Sequence, residues 1–246
     1  MRKQSPGGVK CRRCFSHDGR GCRAVYPMTG VFDPVFEDLP AELPIFPLTG
    51  VLLLPQGKLP LNIFEPRYLN MINAALGGHR MIGMIQPKGA NEGDQPEVYR
   101  TGCAGRLTSF GESEDGRYLI TLSGLVRFEI VEEMPLRDGY RVVIPDWSPY
   151  RADLSEDTDA GIDRDRMLRA LKGYFTANNV DANWDAITET ATDRLVNALA
   201  MMCPFQPSEK QALLEASSLS DRADVMVALL EMSLAANDDS ANLHRN

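Results

Sequence analysis

Four residues near the amino terminus have the types and spacing to do chemistry: Cys11, Cys14, His17 and Cys22 spell C-x2-C-x2-H-x4-C. Soft ligands clustered in this way are the sort that wrap a tetrahedral zinc ion. The spacing argues against it, because two residues between Cys14 and His17 leave a chelate loop tighter than a zinc knuckle uses. No metal or other cofactor is therefore favoured, and zinc at these four residues is kept as a secondary reading. Cys103, in "TGCAGRL", and Cys203, in "MMCPFQP", sit in apolar contexts. They read as small buried hydrophobes of a reducing compartment rather than as a disulfide pair.

Elsewhere the chain advertises no catalysis. A phosphate cradle of the form G-x4-G-K-[ST] is missing: the one Gly-Lys pair, Gly57-Lys58, is followed by Leu59. H-E-x-x-H, G-x-S-x-G and a G-x-G-x-x-G following a strand are missing too, and the three histidines are His17, His79 and His244. His79 belongs to the turn "GGHR" and His244 to the terminal tail, so neither reads as a base. The acidic groups Glu132-Glu133 and Glu112/Glu114/Asp115 fall at strand ends and turns, where a solvated face is the expected role. The reading is of a protein that is not an enzyme.

Charge divides the chain. Residues 1–30 hold seven Lys/Arg against Asp18 alone, which with a whole-chain net of −8 leaves −14 on residues 31–246. A body that acidic repels phosphate backbones, and it lacks the stripe of basic and aromatic residues that a nucleic-acid platform needs. The first 27 residues are basic, glycine-rich and without an apolar h-region, which argues against a secretory signal, and disorder is expected over leader and lead-in, residues 1–39. Met28 stands where globular sequence begins. The leader thus reads either as an organellar transit peptide, giving a matrix location, or as the product of an upstream start in a cytoplasmic protein.

These groups must be positioned by the elements that follow. The run "LPIFPLTGVLLLPQGKLPLNIFEPRY" (43–68) is apolar, but its prolines would break a membrane-spanning helix repeatedly. It reads instead as two short strands, "PIFPL" and "LPLNIF", joined by a partly buried apolar loop that mostly builds core, with a helix from Pro66 that stops at Gly77-Gly78. "RMIGMIQP" is a strand, 98–133 alternates like sheet, and Asp115-Gly116 and Asp138-Gly139 mark hairpins. After an acidic linker at 151–161 the period is helical. Helices are expected over 162–177, 184–203, 208–216 opening at Pro207, and 219–236 capped by Ser220. The fold class is α+β, with a β-domain over 40–150 and a helical subdomain over 162–240.

The ordered string "LPIFPLTGVLLLPQGKLPLNIFEPRYLNMI", "RMIGMIQP", "GCAGRLTSF" and "DGRYLITLSGLVRFEIVEE", followed by "KQALLEASSLSDRADVMVALLEM", resembles the amino-terminal substrate-binding domain of ATP-dependent Lon proteases, in a stand-alone version. The resemblance covers residues 40–236. It implies a PUA-like, mostly antiparallel β-barrel-type domain followed by an α-helical bundle. It also implies capture of unfolded or apolar polypeptide segments in protein quality control, without the ATPase and Ser/Lys protease domains. Such a receptor would serve as an adaptor for a protease or chaperone, with self-association a further expectation and no membrane partner.

The polypeptide-binding candidates are Val51, Leu52, Leu53 and Leu54 of the apolar loop, if that loop is exposed, together with Phe64, Arg67 and Tyr68 at the helix start. For the last three a structural role, pinning the helix to the sheet, is the plainer alternative. RNA binding, as other PUA-like folds show, is the competing function.

Overall fold

The computed structural model describes residues 34–89, 95–155 and 161–243, with backbone alone for 236–243. After a short 3-10 turn at Phe36–Asp38 come β1 (Leu43–Pro47), β2 (Lys58–Ile63), α1 (Pro66–Leu76), β3 (Met81–Ile85), β4 (Thr101–Glu112), β5 (Tyr118–Glu133) and β6 (Arg141–Asp146). A 3-10 segment, Ser148–Leu154, leads to α2 (Arg164–Ala177), α3 (Trp184–Glu189), α4 (Thr192–Met202), α5 (Pro207–Glu215) and α6 (Leu219–Leu243). The class is α+β, as the sequence predicts.

The strands form one mixed sheet in the order β2-β5-β4-β3-β1-β6, in which β1 and β3 run parallel and the other neighbours antiparallel. β5 is 16 residues long and serves two partners. Its first half pairs with β2 and its last residues with β6, so the pairing returns on itself through β5, β4, β3, β1 and β6. Both predicted hairpins form. Gly116, with φ +77°, ends a three-residue loop closed between Ser113 and Arg117, while Asp138 and Gly139 have φ +48° and +86° between the bridged Arg137 and Tyr140, as a two-residue turn matched to strand twist requires.

Side chains alternate across this sheet. One face gathers Leu43, Ile45, Ile85, Ala104, Val126, Phe128 and Val143 into a core closed by Trp147. Phe128 fills its centre because two strand residues lack side chains: a Cβ on Gly83 or Gly102 would stand 2.8 or 2.6 Å from the Phe128 ring. The other face packs α1 through Met71 and Ile72, and the helical half through Met167, Leu171, Val196, Leu199, Leu213, Met226 and Leu230, in one continuous cluster.

The helices depart from expectation in three places. The stretch 184–203 is two helices, with Thr190 and Ala191 extended between them. Thr188 and Thr190 turn their hydroxyls back onto the carbonyls of Trp184 and Ala186, while the Arg164 guanidinium collects the carbonyls of Ile187, Thr188 and Thr190. The carbonyls at the end of α3 are thus satisfied without a continuing turn. α6 begins at Leu219, so Ser218 rather than Ser220 caps it, its Oγ accepting from the Asp221 amide at 3.0 Å. It also runs past 236 to Leu243. Residues 148–154, expected in or beside an acidic linker, instead form the 3-10 segment that packs on β5. Among the described residues no helix is long and apolar enough to cross a membrane.

Candidate functional site

The apolar loop is core rather than surface. Leu52, Leu53 and Leu54 are 2%, 1% and 0% exposed, and Val51 is half-buried against the same cluster. The cause lies in the strands beneath: a Cβ on Gly124 would fall 2.0 Å from the Leu54 carbonyl oxygen, and one on Gly105 would fall 2.7 Å from Leu53 Cδ2. Two glycines therefore cut a trough across β4 and β5, and the loop backbone lies in it. The exposure on which a binding role for these leucines depends is not found.

Phe64, Arg67 and Tyr68, by contrast, come together on one concavity of about 320 Å³. Its walls are the end of β1 with Phe46, Pro47 and Leu48, the end of β2 with Leu61, Asn62 and Ile63, and the start of β6 with Tyr140 and Arg141. Pro66 at the first helical position, with Glu65 extended before it, turns the chain so that Arg67 and Tyr68 face this space. Tyr68 stacks at 4.2 Å on Phe46 and is itself 8% exposed, forming floor. Burial raises its phenol pKa, with Arg67 opposing, so the ring is neutral. Phe64 is 61% exposed and stands at the rim, with the Arg117 guanidinium 5.8 Å from its ring centre.

Charges on the groove are matched locally. Arg67 meets Glu65 at 2.8 Å and its guanidinium lies 4.8 Å over the Tyr68 ring. Arg141 bonds both oxygens of Glu133, at 2.6 and 2.7 Å, and donates to the Pro96 carbonyl at 2.7 Å. Beside these charges the described lining offers the hydroxyls of Thr49, Tyr68 and Tyr140 and the amides of Asn62 and Gln95. An apolar floor with internally satisfied charges suits an uncharged, hydrophobic ligand.

Sequence reasoning did not identify Phe46, Leu48, Leu136, Tyr140 and Arg141 as lining residues. Only the last two carried a usable signal, since the Asp138-Gly139 turn places them at the start of a strand. The meeting of β1 with β6 is long-range and leaves no local trace.

Among the other candidates, His79 is exposed and Glu133 is taken up by Arg141. Asp115 sits on the exposed hairpin, its pKa lowered by the Ser113 hydroxyl and by Arg117. Cys11, Cys14, His17, Cys22 and His244 lie outside the described residues. Cys103 and Cys203 are buried free thiols, as expected.

A sequence profile described as the ATP-dependent protease La (LON) substrate-binding domain matches residues 42–232. Among curated proteins, a Lon protease of Flavobacterium johnsoniae is 25% identical over 191 residues, which is 76% of this chain and 23% of the relative. Lon protease 2 of Myxococcus xanthus is 26% identical over 197 residues, 79% of this chain and 24% of the relative. The chain thus spans about a quarter of the length of these relatives. Among solved structures, a Lon N-terminal domain protein from Xanthomonas campestris superposes with TM-score 0.55 at 21% identity, over 76% of this chain and 97% of that one. The N-terminal domain of a Mycobacterium avium complex Lon protease gives 0.50 at 13% identity, over 77% and 98%.

Proposed function

Because the chain belongs to the family of ATP-dependent protease La (LON) substrate-binding domains, we propose that it captures unfolded or apolar polypeptide segments in the groove at Phe64, Arg67 and Tyr68. It would act as a client-capture or adaptor module for a protease or chaperone. The observation that carries this reading is an aromatic side chain held 61% exposed at the rim of an apolar, charge-balanced concavity. A phenylalanine so placed has a penalty in water and a gain on covering. The reading needs no cofactor and no chemistry from this chain, whose 246 residues hold no phosphate-binding loop.

The test is binding of a reduced, alkylated, permanently unfolded protein to the full chain, followed by fluorescence anisotropy. Phe64→Ala is expected to weaken it about ten-fold, the worth of roughly half to one buried aromatic side chain. Saturable binding with that loss supports the reading; failure of the unaltered chain to bind any unfolded protein overturns it. ATP hydrolysis or peptide cleavage that copurifies strictly with the chain would contradict the non-enzymatic part.

A further inference from the structure

β2 has a free side. Among the described residues its one strand partner is β5, and the alternation of its hydrogen bonds follows from its neighbours. Gly124 of β5 donates to the Gly57 carbonyl at 2.8 Å, so Gly57, and two residues apart Leu59, Leu61 and Ile63, turn their backbone polar groups toward β5. The Thr121 carbonyl, opposite Pro60, is instead taken by Thr108 of β4 at 3.3 Å, which agrees with that phase. Lys58, Pro60 and Asn62 therefore direct their backbone groups outward.

The outward row is not uniform. Lys58 and Pro60 are the residue types that blunt an exposed sheet edge, the proline because it has no N–H to offer. Asn62 carries no such guard, and it is at Asn62 and Phe64 that the edge enters the groove wall. The lining charges Glu65, Arg67 and Arg141 are already paired, in a chain of net −8. An occupant is thus selected by backbone and apolar side chains rather than by its charge.

From this we infer that the groove's ligand is an uncharged, extended polypeptide segment bound as an added β-strand on β2. It exchanges hydrogen bonds with the Asn62 N–H and C=O and the Pro60 carbonyl, and places one alternate set of side chains against Tyr68, Phe46 and Phe64. This rests on the polypeptide-binding reading and specifies its substrate class: segments with β-forming residues on alternate positions and no proline in the paired phase.

The test uses a short uncharged peptide of alternating valine and phenylalanine, and two versions N-methylated on odd or on even residues, against the full chain. One methylated phase is expected to bind about ten-fold more weakly and the other like the parent, since the two hydrogen bonds that the peptide donates, to the Asn62 and Pro60 carbonyls, are lost in one phase only. Asn62→Pro is expected to weaken the parent peptide about five-fold with unchanged Tm, because Pro60 shows that this phase of β2 accepts proline. Asn62→Ala, which keeps the amide, is expected to bind normally.

Equal binding of both methylated peptides, with Asn62→Pro normal and Phe64→Ala impaired, would overturn strand addition and leave side-chain capture standing. Absence of binding to any peptide or unfolded protein would instead sink the parent reading. A dimer in sedimentation that Asn62→Pro dissociates, without peptide uptake, would give the edge to a second copy and overturn the inference as well.

Discussion

At the scale of single residues, Arg127 ties several elements together. Its guanidinium meets Asp153 at 2.7 Å, donates to the carbonyls of Leu214 and Ala216, and lies 4.4 Å over the Tyr150 ring, with both partners of the ion pair under a tenth exposed. Burial works against its charge, but the Asp153 carboxylate outweighs that and raises its pKa. Asp153→Ala leaves a buried cation unmatched and is expected to cost about 3–5 kcal/mol in urea denaturation. The buried thiols give a second expectation. Burial pushes the Cys203 pKa up to about 11, with Lys210 opposing, and raises Cys103 further. A folded pKa above the unfolded one means stability that is full below about pH 9 and drains away as pH rises toward about 11. Both thiols are therefore expected to resist alkylation in the native protein near neutral pH and to react on unfolding, read by peptide mass mapping.

At the scale of elements, the loop at 51–55 depends on the residues it crosses. Gly124→Ala would drive a methyl into the Leu54 carbonyl, and the loop is held there by hydrogen bonds between Gln56 and Gly124 and between Gly124 and Gly57. We expect a loss of about 3 kcal/mol, measured as a fall in Tm, because backbone rather than a flexible side chain must move. The same place shows where sequence stops being legible. The two turns were readable because Asp-Gly supplies positive φ locally, and α1 and α5 because proline marks a first turn. The burial of Leu52–Leu54 was legible only in part, from the apolarity of the loop, since the trough that completes it sits on β4 and β5, more than 50 residues away. The break at Thr190 was silent: no glycine or proline marks it, and the arginine that satisfies the α3 carbonyls comes from α2.

For the whole molecule, the sheet and the helices are joined by polar seams as well as by one apolar cluster. Gln211 Nε2 donates to the Thr101 carbonyl, Asn197 Nδ2 to Pro55, Gln86 Nε2 to Pro207 and Lys210 Nζ to Gly50, with Arg127 adding Leu214 and Ala216. Losing either half would strand these groups without partners. The two halves are expected to unfold together. Far-UV circular dichroism, dominated by the helices, and fluorescence of Trp147 in a Trp184→Phe background should give coincident midpoints; separated transitions would contradict a shared core. The groove is likewise a property of the whole, since β1, β2, α1 and β6 each supply a wall. Phe64, Arg67 and Tyr68 could be picked out because they surround one helix start, whereas the opposite wall depends on strands that meet only in three dimensions.

The position of β1 has a consequence for biogenesis. Leu43–Pro47 lies between β3 and β6, in register with Gly83–Ile85 on one side and Arg141–Val143 on the other. A strand made early must wait, during synthesis, for a partner encoded nearly a hundred residues later, and closing so long a loop is slow. A nascent chain halted before Arg141 therefore leaves β1 without its outer neighbour and Trp147 absent from its core. Until the ribosome has released that last strand, the chain carries an unpaired strand edge and an unclosed core of its own.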